Sequence, residues 1–76
     1  LNPTARNIIQ KLIDSKVLPK RIKTKQALDL LAETPITRDK IYNDPIIRQR
    51  LGVQRYGKGR NLDFDTIKVL DTALKN

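Results

Sequence analysis

The sequence predicts a mainly α-helical fold, a small bundle of four to five short helices with a β-hairpin or ordered basic loop ahead of the C-terminal helix. Three observations carry this expectation. Apolar residues recur at helical spacing in separate stretches. Cap residues and prolines stand where those stretches begin and end. One segment, centred on Gly57-Lys58-Gly59, breaks the helical period and suits extended chain around a turn. With 76 residues and 38% hydrophobic content there is material for one modest core, so residues 1–76 form a single small domain. The opening at Leu1, without an initiator Met, reads as an excerpt of a larger protein.

Asn2-Pro3 has the form of a helix cap followed by Pro at the first helical position, where a missing N–H costs nothing. Ala5, Ile8, Ile9, Leu12 and Ile13 then mark one helical face, which should fade near Ser15 or Lys16 ahead of Leu18-Pro19. A second helix is expected from a Thr24 cap to about Glu33, with Ala27, Leu28 and Leu31 inward and Leu30 widening that face. Thr34-Pro35 stops it. Thr37 can cap a short turn through Ile41 and Tyr42, and Asn43-Asp44-Pro45 then starts a brief helix from Pro45 to Leu51. Ile46, Ile47 and Leu51 should face the core, with Gly52 in the left-handed closing position and Val53 packing back on Ile47. From Val53 to Phe64 a hairpin or ordered loop follows. The last helix, starting at Asp63 or Asp65, should bury Ile67, Leu70, Ala73 and Leu74, with Phe64 stapled against Val69.

Lys and Arg total 16 against 8 Asp and Glu, a net charge of +8 with a pI near 10.2, which favours a polyanionic partner. The excess is concentrated. Lys16, Lys20, Arg21, Lys23 and Lys25 occupy one acid-free window, and Arg48, Arg50, Arg55, Lys58 and Arg60 another. Residues 63–76 carry Asp63, Asp65 and Asp71 against Lys68 and Lys75, so the final helix is a poor anion-binding face. Loops rich in Lys and Arg can track a phosphate backbone while releasing its counterions, and Arg forks onto phosphate where Lys acts as a point charge. The candidate contacts are therefore Lys20, Arg21, Lys23, Lys25, Arg48, Arg50, Arg55, Lys58 and Arg60, together with Tyr56. Tyr56 has two readings, a stacking platform or a half-buried support for the turn, and the second carries more weight. Tyr42 and Phe64 are expected in the core. The helix from Thr24, the turn at Thr34-Pro35-Ile36 and the short helices after it can form a helix-turn-helix-like pair with the hairpin as a wing. Any three-helix bundle has such a turn, however, and Pro45 interrupts the would-be recognition segment.

Much chemistry is absent. Without Cys or His there is no disulfide framework, thiolate or imidazole metal ligand, catalytic thiol or imidazole base. Gly57-Lys58-Gly59 lacks P-loop spacing. Asp39 with Asp44, or Asp63 with Asp65, could be offered as carboxylate pairs for a divalent metal, but Asp44, Asp63 and Asp65 stand where helix starts need an acceptor. No enzyme, cofactor or metal is expected. The expected function is a non-catalytic nucleic-acid-binding module, for DNA over RNA, within an intracellular (cytoplasmic, nucleoid or nuclear) setting. The alternative is a protein-interaction or linker domain contacting other domains of its parent, displayed through an exposed patch of Val17, Leu18 and Ile22. A membrane surface ranks last, because the first helix lacks a continuous basic stripe opposite a bulky aromatic face.

Overall fold

The computed structural model describes residues 3–75, in the order α1 (Pro3–Asp14), β1 (Arg21–Lys23), α2 (Thr24–Leu30), α3 (Arg38–Asn43), α4 (Pro45–Leu51), β2 (Gln54–Arg55), β3 (Leu62–Asp65) and α5 (Thr66–Lys75). The three strands make one antiparallel sheet in the order β1-β3-β2. Ile22 lies opposite Phe64 in the β1–β3 register, and Arg55 lies opposite Leu62 in β2–β3. Of the hairpin or ordered loop expected between Val53 and Phe64, the structure has the hairpin, and β1 is an addition to it. A two-stranded ribbon is marginal alone, and the third strand with the helices against it supplies what the two-residue β2 lacks.

Alternation along the strands turns Ile22, Leu62 and Phe64 to one side, where they join Ala27, Leu31, Ile36, Ile41, Leu51 and Val69 in the core. Phe64, Ile41, Leu51, Val69 and Ala27 are wholly buried. Each large apolar side chain among them contributes about 1.5–3 kcal/mol of burial. Caps set the helix starts. Thr37 Oγ1 accepts from Lys40 N at 3.3 Å, Asp44 Oδ1 from Ile46 N at 3.0 Å, and Asp65 Oδ1 from Lys68 N at 3.0 Å. Gly52 closes α4 at φ +62, and Val53 N reaches back to Arg48 O at 2.9 Å. Phe64 and Val69 share the core, as the staple requires.

Several expectations are corrected. Thr24 is the first residue of α2 and not its cap; Lys23 holds that place, its N–H donating to Gln26 Oε1 at 2.9 Å. The same helix ends at Leu30, because Thr34 turns the chain early through Thr34 N and Oγ1 to Leu31 O at 2.9 and 2.7 Å. Leu30 lies 42% exposed and does not widen the buried face. Ile46 is 75% exposed because α4 presents only Ile47 and Leu51 to the core. In α5 the buried line is Thr66, Val69 and Thr72, leaving Leu74 outside. The two threonines are accommodated by hydrogen bonds, Thr66 Oγ1 to Pro19 O at 2.7 Å and Thr72 Oγ1 to Lys68 O at 2.9 Å. Asp63 is a strand residue and not a cap. In α1, which rests chiefly on α5, Ile9 alone is buried; Ile8 and Leu12 remain exposed. It ends at Asp14, after which Lys16 takes a left-handed turn at φ 65. The cap expected at Asn2 lies outside the described residues. Of the suggested apolar patch, Val17 is exposed, Leu18 half-buried, and Ile22 is a core residue. Among the described residues no helix is long and apolar enough to cross a membrane.

Candidate nucleic-acid interface

The hairpin tip is built from its own backbone. Tyr56 N donates to Asn61 O at 3.0 Å, Asn61 Nδ2 donates to Lys58 O at 3.2 Å, and Gly57 and Gly59 take φ +63 and +87 to complete the turn. Side-chain contacts tie this tip to β1 and to α3. Lys23, at the end of β1, places Nζ 3.9 Å from the centre of the Tyr56 ring, which is 39% exposed and not the half-buried support expected. Arg60 lies with its guanidinium 4.3 Å from the centre of the Tyr42 ring, while the Tyr42 hydroxyl donates to Arg60 O at 2.9 Å.

These contacts bring Lys23 and Lys25 of the first basic window beside Arg60 of the second. Lys23, Lys25, Arg38 and Arg60 gather around Tyr42 and Tyr56 on a hollow of about 330 Å³ whose lining holds no carboxylate. Like charges so placed raise the local potential and favour an anion over an uncharged ligand. Asp39 lies in the adjoining recess with Arg38 and Arg60, and its carboxylate accepts from Asn43 Nδ2 at 2.8 Å. Four other acids have partners elsewhere. Asp44 and Asp65 cap helices, Asp14 accepts from Gln10 Nε2 at 2.9 Å, and Asp71 pairs with Lys75 at 3.2 Å.

The other candidates are distributed around this hollow. Arg55 is exposed on β2 and lines a recess with Tyr42 and Arg48. Arg48 is half-buried and donates from Nη1 to Tyr42 O at 2.7 Å, so it braces the α3–α4 junction. Arg21 is committed to the fold: it donates from Nε and Nη2 to Asp63 Oδ1 at 2.9 and 2.6 Å, and from Nη2 to Gly52 O at 2.6 Å. Among the described residues, Arg21 and Lys75 are the cations held in ion pairs. Lys20, Arg50 and Lys58 are exposed and stand outside the hollow's lining. Sequence reasoning missed Arg38, which belongs to neither window, and assigned Tyr42 to the core; it is half-buried, packing on the core with one side and lining the hollow with the other. No protein-family model, no curated protein and no solved structure matches this chain.

Proposed function

We propose that this chain is a non-catalytic nucleic-acid-binding module that grips the phosphate backbone, of DNA in preference to RNA. One observation carries the reading: Lys23, Lys25, Arg38 and Arg60 converge around two tyrosines in a hollow without a carboxylate. The order β1, α2, α3, α4, hairpin, with β3 between β1 and β2, supports a winged-helix-like arrangement in which the hairpin flanks a helix pair. That likeness is architectural and adds shape, not chemistry. A projecting hairpin beside a helix pair suits the open grooves of B-form DNA better than the deep, narrow major groove of A-form RNA.

The test is binding of a short labelled duplex across a salt series. Neutralising four phosphates makes the affinity fall on the order of a hundredfold between about 50 and 200 mM salt. Lys25→Ala, Arg38→Ala and Arg60→Ala should each weaken binding and flatten the log–log salt slope by about 0.9, with the fold intact. Absence of binding at low salt, or an affinity indifferent to salt, would end the proposal. A second reading, a docking surface for a protein, is supported by Val17 and Ile8, which are 67% and 56% exposed. The burial of Ile22 removes part of its basis, and it gains ground only if the duplex fails to bind.

A further inference from the structure

We infer that the ligand of this hollow is a double strand read through its phosphates, and that neither tyrosine serves as a platform for stacked bases. The inference rests on the nucleic-acid reading above and narrows it. Single-strand recognition depends on open aromatic faces on which successive bases stack. This chain has three aromatic rings, and Phe64 is wholly buried. Tyr42 is held twice by one residue, its face under the Arg60 guanidinium and its hydroxyl on the Arg60 carbonyl. Tyr56 is 39% exposed, and Lys23 Nζ sits over one face of its ring at 3.9 Å, the face turned to the hollow's cations.

The rings thus act as seats for cations. Long flexible side chains lose less freedom on binding when their charged heads are already held in place. A base entering above Tyr42 or Tyr56 on the covered side would have to evict the cation that gives the hollow its charge. A phosphate needs no such displacement and meets Lys23, Lys25, Arg38 and Arg60 where they stand. A duplex presents about one charge per 1.7 Å of its axis, about twice the density of one strand, so the same cations release more counterions from it.

The experiment compares a labelled duplex of roughly 20 base pairs with each of its separated strands at about 50 mM salt, and follows the tyrosine ring protons by NMR. The duplex is expected to bind about tenfold tighter than either strand. Tyr56→Leu, which unseats Lys23, should weaken duplex and single strand by the same factor, whereas a further loss of roughly fivefold or more confined to the single strand would mark a stacking platform and overturn the inference. The ring protons of Tyr56 should hold their positions in wild type, a readout independent of how Tyr56→Leu folds. Equal or tighter binding of a single strand, or an upfield move of those ring protons, would overturn the inference and leave the nucleic-acid reading standing. Failure of every probe to bind would remove that reading, and this inference with it.

Discussion

Replacing Arg21 by Met should damage the fold more than it damages binding. The substitution keeps most of the aliphatic stem but removes both hydrogen bonds to Asp63 Oδ1 and the one to Gly52 O. What remains is a carboxylate on the central strand with its side chain 20% exposed and no cation beside it. A solvent-exposed ion pair contributes about 0–1 kcal/mol, and breaking a fully buried one costs about 3–5 kcal/mol. With the partners 29% and 20% exposed, this pair falls between those limits, and the loss is about 2 kcal/mol. For a domain of this size, total stability is about 4–11 kcal/mol, so the change removes a sizeable share. Urea unfolding followed by far-UV circular dichroism measures it, with Lys23→Met as the comparison. That variant deletes the same charge from the same strand but breaks only an exposed cation–ring contact, which is worth about 0.5–1 kcal/mol. The double variant Arg21→Met with Asp63→Asn should be less destabilised than the sum of its parts. An Arg21→Met unfolding free energy within about 0.5 kcal/mol of wild type would refute the assignment of Arg21 to the fold.

Gly52→Ala should cost about 2 kcal/mol or more, because a side chain at φ +62 is strained and its Cβ would lie 2.7 Å from Asp65 Cβ; thermal unfolding against Gly59→Ala, where the added Cβ meets nothing within 4 Å, separates clash from strain. Tyr42→Phe removes the hydroxyl bond to Arg60 O and should loosen the hairpin by about 1 kcal/mol, seen as faster amide exchange at Tyr56 with little change in the protection of α5. If exchange at the tip is unchanged, the hydroxyl does not anchor it. Thr37→Ala should lower stability by about 1 kcal/mol through loss of the cap on Lys40 N, measurable in the same urea assay.

The elements with strong local chemistry were legible before any coordinates. Thr37, Asp44-Pro45 and Gly52 act through groups within a few residues of themselves, so α3 and α4 could be bounded from the chain alone. The Gly-Lys-Gly turn likewise marked a hairpin or ordered loop, and strand pairing decided between the two. β1 could not be read this way, because three residues with a single inward apolar side chain carry no period. The rotation of α4 and α5 also escaped local reading. Ile46 and Leu74 fit a helical face as well as their neighbours do, and only the position of the sheet decides which line of residues is buried.

For the candidate site, composition and charge order determined that the chain carries two acid-free basic windows, while the lack of Cys and His removed thiol and imidazole chemistry. Their convergence was decided in three dimensions. Pairing of β1 with β3 carries Lys23 to the hairpin, where Tyr56 receives it, and Tyr42 draws Arg60 toward α3, adding Arg38 to the group. The same pairing places Arg21 beside Asp63 and takes it out of the anion-facing set. A charge's role depends on which partner lies within a few ångströms, and for residues separated by 42 positions, as these two are, only the tertiary fold sets that distance.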